Sequence, residues 1–158
     1  MSESREEIME AIGRLLGSQS TLVLSTCDAA GRTHATPLFY LAGADFELYW
    51  LSSKSSIHSR NAEIIPQVSA AIYAATERWQ EIRGVQMHGT VSRITERKQR
   101  REISKQYRSR FQLNDAFRVV MARNSLYVFR PCWIRYLDNT RRFGFKFEVD
   151  LPIVQEEK

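Results

Sequence analysis

The sequence predicts a mainly β protein, a small antiparallel β-barrel with flanking helices. Short segments of alternating apolar and polar residues recur along the chain, and turn residues separate them. These segments follow one another in hairpin order, without the regular alternation of strand and helix that parallel sheets need. The chain has no Gly-x-Gly-x-x-Gly sequence, which disfavours a dinucleotide-binding α/β fold. We therefore predict a barrel of six antiparallel strands.

Length and composition predict a single domain. The chain has 158 residues, of which 43% are hydrophobic and 26% are charged, as in an ordinary globular protein. No repeat, linker or change of composition divides it. We therefore treat 1–158 as one domain, with an N-terminal helix over 1–17 and a helical insertion over 96–122.

The strands are predicted from a two-residue period in hydrophobicity. The first two strands flank a turn at 28–31, where Gly31 can adopt a left-handed conformation. A second turn, at 43–45, leads into the third strand. The predicted strands are 21–27, 34–41, 46–52, 68–74, 82–94 and 126–137, with 143–149 as a candidate for a further short one.

Capping residues and helical spacing predict four helices. Ser2 or Ser4 can cap the first helix, which Gly17 ends. A short helix is predicted for 55–65, before Pro66. The third helix, 96–110, is charged and carries an apolar stripe of Ile103, Tyr107 and Phe111, and the fourth, 114–121, is capped by Asn114.

The chain is mildly basic, with 23 Lys and Arg against 18 Asp and Glu and a net charge of +5. Much of this charge lies on the helix 96–110, and basic helices can bind nucleic acid. However, Glu96 and Glu102 interrupt the positive face, and Ile103 and Tyr107 mark an inward one. We interpret this helix face as solvated and do not expect nucleic acid as a partner.

The cysteines and histidines give no metal or redox pattern. Cys27 and Cys132 lie far apart and outside any Cys-x-x-Cys sequence, and His34, His58 and His88 fall in three different elements. We expect no metal site. No secretory signal or membrane-spanning segment is apparent, so we expect a cytoplasmic protein without membrane association.

Residues 52–61 form the most polar junction between a predicted strand and a predicted helix. Serine hydroxyls, Lys54, His58 and Arg60 gather there. Free amide groups and the positive end of a helix dipole suit a phosphate at such a place. A second interpretation is that the serines only cap the helix. The spacing leaves both interpretations open.

Several short motifs occur in a fixed order between residues 21 and 147. They are Leu24-Ser-Thr, His34-Ala-Thr-Pro-Leu, Leu48-Tyr-Trp-Leu-Ser, Ser56-x-His-x-x-Asn, Pro66-Gln-Val-Ser and Ile82-Arg-Gly-Val-Gln-Met-His-Gly. The ordered set resembles the FMN-binding split-barrel proteins related to pyridoxamine 5'-phosphate oxidase, and further matches around Tyr107 and Asp138 resemble a subgroup of small bacterial members. The resemblance implies a six-stranded antiparallel Greek-key split barrel with FMN as cofactor.

In that family two chains form a homodimer, and FMN lies in a groove at the interface. The resemblance implies that the edge of the isoalloxazine ring is lined by Ala35, Thr36, Pro37 and Leu38. It implies that the phosphate is received by Ser52, Ser53, Ser56 and His58. It implies that the ring is approached from the fifth strand by Gly84, Val85 and Gln86. Asn61 faces either the ligand or the core.

Hydrophobic patterning also predicts a homodimer, because the strands 82–94 and 46–51 carry large apolar groups on both faces. The resemblance implies an FMN-dependent oxidoreductase. An F420-dependent reductase and a flavin or haem carrier without turnover are the alternatives. The chain lacks the C-terminal Arg-x-His substrate motif, and no histidine follows His88, so oxidation of vitamin B6 is not expected. No catalytic acid or base is nominated, and the small-molecule substrate stays open.

Overall fold

The fold is described from a computed structural model, and the structure describes residues 4–152. The helices are α1 (Arg5–Ser18), α2 (Ile57–Ile64), α3 (Arg97–Phe111) and α4 (Phe117–Arg123). The strands are β1 (Thr21–Cys27), β2 (Thr33–Phe39), β3 (Leu41–Ala42), β4 (Leu48–Ser52), β5 (Gln67–Tyr73), β6 (Arg83–Arg93), β7 (Ser125–Asp138) and β8 (Lys146–Asp150). Short 3-10 turns lie at Ala44–Phe46 and Trp79–Glu81.

The strands form one antiparallel sheet in the order β2-β1-β5-β6-β7-β4-β3, with β8 paired to β7. Strand β7 pairs with β6 on one edge. On its other edge, 125–129 pair with β4 and 133–137 pair with β8. The register between β6 and β7 shifts between His88 and Gly89, which is a β-bulge. The predicted fold class, mainly β with flanking helices, is confirmed.

The sheet curls around one main apolar core, and α1 packs against it. Alternate residues of β1, β5 and β6 are buried, as the two-residue period predicted. Ile8, Ile12 and Leu16 of α1 join them. Ser4 caps α1 and forms a capping box with Glu7. The prediction of Ser4 as the cap is therefore confirmed, while Ser2 lies outside the described residues.

The predicted number of six strands is wrong, because the described sheet has eight. The sixth and fifth predicted strands are close to β7 and β6, and the candidate segment 143–149 contains most of β8. The predicted strand 34–41 is divided at Tyr40, whose amide donates to the Ser20 carbonyl oxygen and whose hydroxyl donates to the Leu16 carbonyl oxygen at 2.6 Å. Burial of Tyr40 bends the chain, and β3 begins after the bend.

Two further boundaries differ from the prediction. Asn114 does not cap α4, because its carbonyl oxygen accepts from the Phe117 amide in a turn, and α4 begins only at Phe117. Phe46 does not open β4, because it has a left-handed backbone with φ 62°. The hydrophobic period of the sequence does not locate either boundary, because both lie where short segments join.

Helices α3 and α4 are inserted between the adjacent strands β6 and β7. The side chains of Ile103 and Tyr107 pack on a second apolar cluster that includes Ile94, Leu126 and Val128. The predicted helical insertion therefore covers one end of the sheet. No helix within residues 4–152 is long and apolar enough to cross a membrane.

Candidate functional site

A cluster of hydroxyl groups lies between the end of β4 and the start of α2. The Ser52 hydroxyl lies 2.6 Å from His58 Nε2, and the Ser56 hydroxyl lies 3.1 Å from the same atom. Ser53 and Ser55 are joined by a hydrogen bond of 2.8 Å between their hydroxyls. The structure therefore brings together the four residues that the resemblance assigned to a phosphate.

Helix α2 begins without a side-chain cap. Ser56 is the N-cap residue, but its hydroxyl donates to the Ser53 carbonyl oxygen at 2.7 Å rather than accepting from the first amides of the helix. The first turn of a helix has amide groups without intrahelical partners, and these carry the positive end of the helix dipole. The start of α2 is therefore open to an external acceptor. This geometry favours the phosphate interpretation over the capping interpretation.

The side chain of His58 is buried beside the hydroxyls, with 7% of its surface exposed. Burial lowers the pKa of His58 from its ordinary value, and the charge of His34 on β2 lowers it further. At neutral pH the imidazole is therefore uncharged, and Nε2 can either accept from a hydroxyl or donate to an anion, depending on the tautomer. The hydroxyls, the imidazole and the helix amides form a donor set that suits a phosphate ester.

Asn61 faces the core. Its side-chain amide donates to the Thr26 hydroxyl of β1 at 3.1 Å, and both residues are buried. The contact joins α2 to β1. Asn61 therefore holds the helix in place, which answers the question that the sequence left open about its direction.

The β2 residues assigned to the isoalloxazine edge divide between two faces of the sheet. Ala35 and Pro37 are exposed, whereas Thr36 and Leu38 are half-buried and point inward. Thr36 is paired with Leu24 of β1, and its hydroxyl oxygen is buried without a hydrogen-bond partner among the described residues. Such an orphaned donor is uncommon in a folded protein. This oxygen points into the core and is closed to solvent, so it gives no support for a ligand contact from Thr36 in one chain.

The β6 residues lie apart from the β2 residues within one chain. Strand β6 is the third neighbour of β2 in the sheet, which corresponds to roughly 14 Å between the strands measured along the sheet. Val85 is buried in the core, and Gln86 is exposed, with its side-chain oxygen 3.4 Å from a guanidinium nitrogen of Arg135. A Cβ on Gly84 would lie 3.0 Å from the Ile72 carbonyl oxygen, so packing against β5 already favours glycine there.

The exposed face of the sheet was not predicted as a unit from the sequence. On the side of the sheet away from the core, the strand register places eight residues in adjacent rows. We call these residues the outer face: Val23, Ser25, Ala71, Tyr73, Gln86, His88, Trp133 and Arg135. The rings of His88 and Trp133 are 4.7 Å apart, and Tyr73 is 62% exposed. The two-residue period of β5 and β6 could have located this face, had the strand order been known.

No group of three His, Cys, Asp or Glu side chains within residues 4–152 is placed to hold a metal ion.

A comparison with known families decides the identity of this fold. The family model of pyridoxamine 5'-phosphate oxidase matches residues 8–138. The chain belongs to the pyridoxamine 5'-phosphate oxidase family. The match covers the hydroxyl cluster, the outer face and the α3–α4 insertion. A comparison with curated proteins found no match.

Solved structures share the fold of this member of the pyridoxamine 5'-phosphate oxidase family at low sequence identity. The conserved hypothetical protein Rv2991 from Mycobacterium tuberculosis has a TM-score of 0.72 and 18% identity, covering 100% of this chain and 94% of that one. A haem-binding protein from Mycobacterium smegmatis has a TM-score of 0.70 and 18% identity, covering 95% and 59%. The haem storage protein HutZ from Vibrio cholerae has a TM-score of 0.66 and 20% identity, covering 82% and 91%.

Proposed function

We propose that the protein binds FMN and acts as an FMN-dependent oxidoreductase. The observation that carries this proposal is the uncapped start of α2, surrounded by the hydroxyls of Ser52, Ser53 and Ser56 and by His58. An organic phosphate requires several donors and a positive potential, and both meet there. Membership of the pyridoxamine 5'-phosphate oxidase family gives the second support.

A homodimer is part of the proposal. The outer face presents Tyr73, His88 and Trp133 to solvent, and an exposed aromatic patch of this kind is typical of an interface. Gly84 and Gln86 lie on the same side of the sheet. In the proposed dimer, these residues of one copy would lie beside the flavin site of the other, as the family resemblance implies. The site is then complete only in the dimer.

FMN, when bound, supplies the redox chemistry, because its ring accepts and donates hydride or single electrons. The chain supplies the positions. The start of α2 and the serine hydroxyls would hold the phosphate, and Gln86 would offer a carboxamide. We propose an organic small molecule as the substrate.

The test compares FMN with riboflavin, which lacks the phosphate. We expect Ser56→Ala combined with His58→Ala to weaken FMN binding by about ten- to a thousand-fold, because charged hydrogen bonds are lost. Riboflavin affinity should change little, since its ring contacts lie elsewhere. Isothermal titration of both ligands measures the two effects. Thr95→Ala, which removes an exposed hydroxyl between β6 and α3, is the matched control.

An equal loss of affinity for both flavins would remove Ser56 and His58 from the site. Because the double variant also alters α2, Ser53→Ala provides a second variant at an exposed position. It should weaken FMN by up to about tenfold without a change in the melting temperature. Failure of the wild-type protein to bind any flavin would overturn the proposal itself.

Haem binding is the second candidate function. Two proteins of the same fold are named as haem-binding or haem-storage proteins, and this chain exposes His88 beside Trp133 on the outer face. An exposed imidazole is a common axial ligand of haem iron. Mass spectrometry of the ligand extracted from the purified protein separates FMN, F420 and haem. Haem that is retained by the wild type and lost in His88→Ala would favour this second function.

A further inference from the structure

The positive charge of the chain is concentrated in the α3–α4 insertion. Residues 97–123 contain nine Lys and Arg and two acidic residues, Glu102 and Asp115. Subtracting these from the totals of 23 and 18 leaves 14 basic and 16 acidic residues in the rest of the chain. The insertion alone therefore makes the protein basic, and the FMN proposal uses none of it.

The two helices of the insertion enclose an open groove of about 980 Å³. The basic side chains that line it are Lys98, Arg100, Arg101, Lys105, Arg108 and Arg118. Glu102 is the one acidic residue among the lining residues. Met121 and Leu113 give the groove an apolar floor. A groove of this volume holds a small molecule.

Both ends of the groove are held by hydrogen bonds between the helices. The Arg100 guanidinium donates to the carbonyl oxygens of Met121 at 3.0 Å and Asn124 at 2.9 Å, which fixes the end of α4 against α3. At the other end, Asp115 accepts from Arg108 at 3.0 Å and lies 3.8 Å from Arg118. The walls are therefore braced before any ligand binds.

Between the two ends of the groove lie positively charged side chains that make no ion pair with the described residues. The side chains of Arg101 and Lys105 are exposed and make no hydrogen bond or ion pair with the part of the chain that the structure describes. Arg108 Nε is buried and has no acceptor among these residues. This nitrogen is out of reach of a ligand, but Arg108 lines the groove and its charge adds to the positive potential there. An anion in the groove would contact Arg101 and Lys105 directly.

We propose that the groove binds a compact polyphosphate group, meaning two or more linked phosphates on a small molecule. Residues 101, 105 and 108 lie on one helix, at spacings of about 6 and 4.5 Å along its axis. These spacings place the three residues on one face of α3, where long flexible side chains can converge on one compact anion. An extended nucleic acid strand fits the groove less well, because its lining contains no aromatic side chain for base stacking. This site is separate from the flavin site at α2.

The test uses inorganic tripolyphosphate as the probe and isothermal titration as the measurement. We expect binding that weakens by about ten- to a hundred-fold in the variant Arg101→Gln with Lys105→Gln. The matched control is Arg97→Gln with Arg123→Gln, which removes the same amount of charge from the α3–α4 insertion at positions outside the groove lining. The control should bind within about threefold of the wild type, because distant exposed charges are screened.

Equal weakening in both double variants would overturn the proposal, since it would indicate a response to net charge alone. A second result would also overturn it. If a single-stranded oligonucleotide of about 20 nucleotides binds more tightly than tripolyphosphate, and this binding is lost in the Arg101→Gln and Lys105→Gln variant, the groove is a nucleic acid site. The Ser56→Ala and His58→Ala double variant should retain tripolyphosphate binding. Loss of tripolyphosphate binding in that double variant would show that the probe binds at α2 and not in the groove.

Discussion

His58 couples the hydroxyl cluster to pH. Burial and His34 lower the pKa of His58 in the folded protein, whereas the unfolded chain keeps a value near 6.5. Below about pH 6.5 the unfolded chain therefore binds protons more strongly than the folded one. The stabilising contribution is present above that pH and is lost as pH falls through the lower folded pKa.

We therefore expect the free energy of unfolding to fall more steeply between about pH 7 and pH 5 in the wild type than in His58→Gln. Urea denaturation at a series of pH values measures both slopes. The carboxylates titrate in both proteins and contribute equally to both slopes. The difference between the slopes therefore belongs to His58. Identical slopes would show that His58 is protonated equally in the folded and unfolded states.

Asp138 is a buried carboxylate at the end of β7. It accepts from the Tyr136 hydroxyl at 2.6 Å, from the amide and hydroxyl of Thr140 at 3.0 and 2.6 Å, and from Arg141 Nε at 3.2 Å. Its presence also raises the pKa of Tyr136, after the larger effect of burial. The Asp138 side chain therefore anchors the start of the turn between β7 and β8, and the Gly144 amide, which donates to Asn139 Oδ1, holds its end.

Replacement of Asp138 by Ala is expected to lower the free energy of unfolding by about 3–5 kcal/mol, because the buried Tyr136 hydroxyl and the half-buried Arg141 guanidinium lose this acceptor. Chemical denaturation measures the change. Asp150→Ala, at an exposed position of β8, is the comparison and should stay within about 0.5 kcal/mol of the wild type. A small effect at Asp138 would mean that water replaces the carboxylate without cost.

At the scale of elements, the bulge between β6 and β7 requires a glycine. A Cβ on Gly89 would lie 2.1 Å from the Arg130 carbonyl oxygen, whereas a Cβ on Gly13 of α1 would meet no atom within 4 Å. The first contact is with backbone, which cannot rotate away. The second position is an exposed helix interior.

The two glycines are expected to respond to alanine in opposite directions. Gly89→Ala should destabilise the protein by at least about 1–3 kcal/mol through overpacking, and Gly13→Ala should stabilise it by about 0.5–1 kcal/mol through helix propensity. Thermal and urea unfolding of both variants measure the signs. Stabilisation at Gly89 would contradict the bulge geometry.

Strong local patterns made most elements predictable. Strand β1 matches its predicted range because its alternation is complete, and α2 is bounded by Ser56 and by the residues before Pro66. The division of β2 from β3 was not predictable in this way. It depends on the hydrogen bond from Tyr40 to Leu16, a contact between segments 24 residues apart. The false cap at Asn114 has a related cause, because capping residues also form turns.

At the scale of the whole molecule, the hydroxyl cluster could be predicted because its members lie within seven residues of sequence. The outer face could not, because it depends on the order in which β1, β5, β6 and β7 pair. The proposed relation between Gln86 and the α2 site is further removed from the sequence, since it would involve a second chain. The hydrophobic period of a sequence describes one strand at a time. Only the resemblance to a known family therefore connected Gln86 with the hydroxyl cluster.

The outer face leads to a prediction about assembly. Tyr73→Glu combined with Trp133→Glu places two charges in the proposed interface, and burying a charge without a partner is costly. We expect the wild type to be a dimer at micromolar concentration and the variant to be a monomer in light scattering. Ile64→Glu, at an exposed apolar position of α2, is the control and should remain dimeric. A monomeric wild type would contradict the interface.

The α3–α4 insertion leaves and rejoins the sheet at almost the same point. Arg93 and Tyr127 are register partners, and the Ile94 amide donates to the Leu126 carbonyl oxygen. Changes of length between these residues therefore leave every pair of β6 and β7 in place. Evolution can lengthen, shorten or recharge this segment while the rest of the sheet, with the proposed flavin site, is inherited unchanged. The two ligand specificities that we propose could in this way diverge at independent rates.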